Sequence, residues 1–167
     1  LKLNDIANSP GTYELTPLSK DTADSLKSEN WDQDVVEKIT SEEEAQIYKN
    51  ANVEPAEVNG KPVLARNDID PDLEGPDGKT NLERMREGNA PYYADENGKL
   101  KRYELHHIGQ KNDAPLAELT QKEHRQDGND LVLHPNQKES EINRPDFNKE
   151  RAEHWKARAE QIESKGN

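Results

Sequence analysis

Two Asn-Gly pairs constrain this chain more than any other feature. An Asn-Gly step supplies two successive residues that tolerate positive φ, which a two-residue hairpin turn requires. Val58-Asn59-Gly60-Lys61, flanked by Ala56-Glu57 and Val63-Leu64, predicts one antiparallel hairpin. Asn97-Gly98 lies between residues 91–94 and 100–105 and predicts a second. Helical patterns surround both. Residues 32–39 carry Val35, Val36 and Ile39 on one face, and Ser41 with Glu44 reads as a capping box for a helix through Tyr48. Thr80 or Asn81 can cap a helix reaching Glu87 and ended by Gly88. Pro145 opens a last helix to about Glu163, with Phe147, Trp155, Ala159 and Ile162 on one stripe. Residues 115–119 read as a short strand or as the lead-in to a helix over 120–125, and Leu131 to Leu133 is a short apolar run. Hairpins set among helices make an α+β chain.

The core of such a chain is small. Hydrophobic residues are 29 % of the 167, and the net charge is −12. A large self-sufficient core is not expected; a smaller one, helped by a metal or a partner, is. The length suits one domain, or one domain with an arm. Residues 1–30 read as a polar arm or linker, 31–79 as an acidic leader with short helices and a hairpin, and 80–167 as the region that carries chemistry. There is no cysteine, which excludes disulfides, thiol chemistry and thiolate zinc sites. No apolar run approaches the length of a membrane span, and no charged start with an apolar run marks a signal peptide. The first residue is Leu1 rather than Met, so the chain is expected to be a segment of a longer protein or a processed product.

Charge and histidine divide the chain in opposite ways. Residues 1–98 hold 10 Lys/Arg against 22 Asp/Glu, whereas 99–167 hold 13 of each. All five histidines fall between His106 and His154. The acid-rich loop over residues 68–78 reads as a solvated connection. Asp68, Asp70, Asp72 and Asp77 lack the ligand spacing of a calcium loop.

His106 and His107 close the second hairpin; His124 follows Glu123, and His134 follows Leu133. Imidazole is the commonest neutral metal ligand and titrates near neutral pH. Adjacent strand residues point to opposite faces, so one histidine can hold a metal while its neighbour acts as a base. Two further histidines complete a three-imidazole site and leave a coordination position open. The same histidines also suit a structural zinc site without activity. His154, on a charged helix, reads as a surface residue. Trp31 and Trp155 read as core or interface anchors.

The blocks around these histidines resemble the LHH group of the HNH/endonuclease VII nuclease superfamily. They are Asn81-Leu82-Glu83-Arg84-Met85, Ala90-Pro91, Glu104-Leu105-His106-His107-Ile108-Gly109-Gln110 and Pro115-Leu116-Ala117-Glu118-Leu119-Thr120, then Glu123-His124, Leu133-His134, Glu141-Ile142-Asn143-Arg144, Phe147 and Trp155-Lys156-Ala157-Arg158-Ala159. Residues 32–70 resemble the leader that often precedes this module in bacterial polymorphic toxins. The resemblance implies a small ββα-metal (His-Me finger) nuclease core with flanking helices and β-hairpins, and makes 80–167 the nuclease domain. It implies His106, His124 and His134 as metal ligands and His107 as general base. Glu104 or a backbone carbonyl would orient that base, because the central Asn of the name-giving pattern is missing; Asn112 is the nearest candidate. Arg84, Arg144 and Arg158 become candidates for binding substrate and stabilising the transition state, with salt bridges to carboxylates as the competing role. The cofactor implied is a divalent ion, with zinc bound and magnesium or manganese as alternatives for activity.

Acidity opposes nucleic-acid binding, since phosphate contacts supply most of the affinity. The neutral second half softens that objection. The reading that follows is a DNA endonuclease toxin domain of a secreted bacterial effector. It would be delivered into target bacterial cells, would act in their cytoplasm and would be neutralised by a cognate immunity protein, with no membrane partner. An acidic inhibitor, an immunity protein or DNA mimic, and a zinc-stabilised adaptor are the rivals. Neither an inhibitor nor a mimic needs the histidine blocks.

Overall fold

The computed structural model describes residues 15–111, 113–125, 128–134 and 144–166, with the side chains of Arg144 and Gly166 left aside. Asn112 and the Glu141-Ile142-Asn143 block lie outside the described residues, as does the side chain of Arg144.

Three short helices come first. Helix α1 is Lys20–Ser28; the Ser19 hydroxyl accepts the Thr22 N–H at its start. It does not belong to a loose arm. Leu26 is fully buried, and Trp31 just beyond it is in the same core. Helix α2 is Gln33–Lys38, capped by Asp32, and α3 is Glu42–Asn50, capped by Ser41. The expected capping box at Ser41 is half formed. Ser41 accepts the Glu44 N–H, but the Glu44 carboxylate turns to Thr40 instead of back to Ser41.

Strands β1 (Val53–Val58) and β2 (Lys61–Arg66) pair antiparallel through the Asn59-Gly60 turn, where φ is +54° and +75°. Helix α4 (Asn81–Arg86) carries the capping box in full, Thr80 with Glu83. Strands β3 (Tyr92–Ala94) and β4 (Leu100–Arg102) form a small separate hairpin. The single strand expected over 100–105 breaks at Tyr103, which is buried against Tyr93. Beyond it, β5 (Glu104–His107) joins another sheet, pairing antiparallel with β6 (Leu116–Leu119). Helices α5 (Gln121–Arg125), α6 (Asn129–Leu133) and α7 (Arg144–Gly166) complete the chain.

The main sheet runs β1-β2-β6-β5, with β2 and β6 parallel. Its first two strands come from the acidic leader and its last two from the histidine-bearing region. Alternation sorts the side chains onto two cores. Leu64, Ala117 and Leu119 pack with α1–α3 and α6. Val63, Ala65, Leu105 and Leu116 pack with Met85 of α4 and Trp155 of α7. The sheet is therefore covered on both faces, which lets a chain poor in apolar residues bury most of those it has.

Candidate nuclease and metal site

Strand β5 is the outer strand of this sheet, so both of its faces can be reached from one side. A cleft of about 840 Å³ wraps this edge. His106 pairs with Ala117 and points to the α6 face; His107 pairs with Leu116 and points to α7. Both line the cleft.

On the first face, α5 and α6 carry His124 and His134 to His106. The three rings stand 4.8–5.0 Å apart by their centroids, and one nitrogen from each falls within 4.8 Å of the others. His124 Nδ1 donates to Glu104 Oε1 at 2.9 Å, and His134 Nδ1 donates to the Asp130 carbonyl at 3.1 Å. Both acceptors lack a proton, so each Nδ1 keeps its hydrogen and each Nε2 presents a lone pair. Those two Nε2 atoms lie 3.3 Å apart. His106 Nε2 is buried with no partner among the described residues. Burial, and then the neighbouring imidazoles, push His106 well below the usual 6.5; burial lowers His134 as well.

Neutral lone pairs facing each other repel unless a cation lies between them. Two imidazoles on one tetrahedral metal at about 2.0–2.1 Å would have their nitrogens about 3.3 Å apart. The residues present therefore fit a divalent ion. Glu104 would then be the carboxylate that orients His124 toward the ion. Burial alone would raise its pKa, but bonds from His124 and Arg125 hold it below the ordinary value.

On the other face, His107 Nε2 donates to Glu150 Oε1 at 2.7 Å, and the His107 ring lies 4.6 Å from Phe147. The carboxylate fixes the proton on Nε2 and leaves the lone pair on Nδ1.

Several expectations are corrected here. Glu104 serves His124 and Arg125 and does not hold His107; Glu150 does. Arg84 is buried outside the cleft, ion-paired to Asp77 and stacked on Tyr92 at 4.5 Å. That pair also ties down the acid-rich loop, whose Asp68 is held by Arg66. Arg158 is buried outside the cleft too, bonded to Glu118 and to the Arg66 carbonyl. His154 is not on the surface; its Nε2 donates to Glu118 at 2.6 Å. A sequence does not show which charges find partners in the interior.

Three residues escaped the sequence reading: Glu150, which holds His107, and Arg102 and Arg151, which line the cleft. Glu150 had a signal. It follows Phe147 by three residues and precedes His154 by four, so it shares their stripe on α7.

The site thus sets a β-hairpin with adjacent histidines beside a helix with a third. The model of the LHH family, described as a nuclease of the HNH/ENDO VII superfamily with conserved LHH, matches residues 80–161. Its LHH falls on Leu105-His106-His107, so residues 80–161 are similar to this family. No curated protein and no solved structure gives a significant match.

Proposed function

We propose that the protein is a metal-dependent endonuclease that hydrolyses the phosphodiester bonds of DNA. One observation carries this reading. The triad His106, His124 and His134 and the single histidine His107, which Glu150 holds from behind, line the same cleft from the two faces of one strand.

His106, His124 and His134 would hold the ion, which when bound supplies Lewis-acid stabilisation of a phosphate oxygen and of the leaving 3′ oxygen. His107 Nδ1 takes a proton from water. The water oxygen forms the new bond to phosphorus in line with the P–O3′ bond that breaks. The departing 3′ oxygen takes up a proton from solvent water, leaving 3′-hydroxyl and 5′-phosphate ends. Glu150 keeps the His107 ring in its base tautomer and stabilises the imidazolium formed. Zinc suits an all-imidazole set, with magnesium or manganese as working alternatives.

The wider role proposed is a toxin domain of a secreted bacterial effector, acting in the cytoplasm of target cells and held in check by an immunity protein. Its support is the resemblance of residues 32–70 to toxin leaders and the acidic first half, which suits a basic partner surface.

Plasmid cleavage tests the chemistry. Purified protein is assayed with EDTA and with added Mg²⁺, Mn²⁺ or Zn²⁺, beside His107→Ala. Metal-dependent nicking absent from a variant that still binds metal supports the reading. Folded wild-type protein that cuts neither DNA nor RNA with any of these ions overturns it.

A further inference from the structure

Seven arginine side chains are described, in a chain whose 35 acidic residues outnumber its 23 Lys/Arg. Five are held by carboxylates: Arg66 by Asp68 and Glu123, Arg84 by Asp77, Arg86 by Glu163, Arg125 by Glu104 and Arg158 by Glu118. Arg102 and Arg151 have no carboxylate partner among the described residues. Both line the cleft beside the His107 edge of the sheet.

Each is set in place by an aromatic ring instead. The Arg102 guanidinium lies 5.4 Å from the Tyr92 ring centre, and its Nε donates to the Tyr92 hydroxyl at 3.2 Å. The Arg151 guanidinium lies 5.1 Å from the Phe147 ring centre and donates to Asn148 Oδ1 at 2.5 Å. Phe147 also touches the His107 ring, so one aromatic ring separates Arg151 from the candidate base. A guanidinium stacked on a ring keeps its edge N–H groups for a planar or bidentate acceptor and loses little freedom when it binds. The carboxylates lining the same cleft are already engaged: Glu104 by Arg125 and His124, Glu87 by Lys79.

We propose that Arg102 and Arg151 form the phosphate-binding site of this cleft and grip the backbone of a nucleic-acid strand. The inference rests on the nuclease reading above. It explains how a chain of net charge −12 can hold a polyanion. Internal pairing neutralises its other described arginines, while these two cations are left open where the strand must lie.

The test is equilibrium binding in a His107→Ala background, which prevents cleavage. The probe is a fluorescent DNA duplex of about 20 base pairs, titrated between about 50 and 200 mM salt. Arg102→Gln and Arg151→Gln should each weaken binding about 5- to 10-fold and reduce the salt slope by about 0.9, and the double variant by about twice that. Arg151→Lys should restore the slope but not the full affinity. Arg86→Gln, exposed and outside the cleft, should change neither.

Gln variants with wild-type affinity and slope would overturn the phosphate site, while cleavage by the unmodified chain would still uphold the nuclease. A wild-type chain that neither binds nor cuts DNA or RNA would overturn both. Thermal melts of each variant show that it is folded; the exposed positions of both side chains make that the expected result.

Discussion

The Glu44 carboxylate accepts the backbone N–H of Gly109 at 2.9 Å, joining a leader helix to the turn that follows His106 and His107. Glu44 is buried and takes four donors. Thr40 gives its N–H and hydroxyl, Gly109 its N–H, and Tyr48 its phenol. Gly109 stands at φ +73°, and a Cβ there would meet the Lys38 carbonyl at 2.1 Å. The histidine strand thus ends in a turn moulded against α2 and α3.

That contact makes the leader part of the nuclease fold. Glu44→Ala would leave buried donors unpaired and should cost about 2–4 kcal/mol. Gly109→Ala adds backbone strain to a clash and should cost at least about 2 kcal/mol. Both should accelerate hydrogen exchange in the 108–110 turn ahead of β2. Equal protection in the variants and the wild type would show that the turn stands without the leader.

The first helix is tested by Leu26→Ala. Leu26 is fully buried beside Val35, Val36 and Tyr48, so the substitution should lose about 2–5 kcal/mol by denaturant melting. The polar composition of residues 1–30 hid this. One Leu and one Trp among charges give no period, yet they suffice to anchor a nine-residue helix on a core that other segments supply.

What could be read in advance was local. The Asn59-Gly60 turn, the Ser41 and Thr80 caps and the stripe on α7 each lie within a few residues of their cause. The three histidines that meet in the structure were found from a string of short blocks. The partners were not readable. Glu150 lies 43 positions from His107, and Arg158 lies 40 from Glu118. The split at Tyr103 was also hidden, because β5 leaves its hairpin for a strand that comes later in the chain.

Glu104 gives a prediction separate from catalysis by the base. Its carboxylate orients His124 through Nδ1, so Glu104→Gln should weaken metal affinity about 10- to 100-fold in competition with a chelator. At saturating metal, much of the cleavage rate should return. A rate that stays low at full metal occupancy would mean that Glu104 also acts on the reacting groups.

Glu150 should behave in the opposite way. Glu150→Gln leaves the metal ligands untouched but removes the charge that holds the His107 tautomer. The expected loss is about 100-fold in kcat, with KM and metal stoichiometry preserved. Glu150→Asp should recover part of it. A rise in KM with kcat unchanged would reassign Glu150 to substrate binding.

The last prediction concerns acid stability. Glu118 is fully buried at the centre of a network with His154, Arg158 and the Arg66 backbone N–H. Burial alone would raise its pKa; the His154 bond and the charges of His154 and Arg158 outweigh it and bring it below 4.5. A carboxylate lowered in the folded state adds stability above its unfolded pKa, and that stability is lost as pH falls through the folded value. Glu118→Gln should therefore cost about 3–5 kcal/mol near neutral pH, since it leaves a buried arginine without its counter-charge. The difference between wild type and variant should stay constant from pH 7 down to about 5 and shrink at lower pH. Denaturant melts at a series of pH values measure it directly. A gap that is unchanged well below pH 4 would mean that the carboxylate's charge is not what fastens α7 to β6.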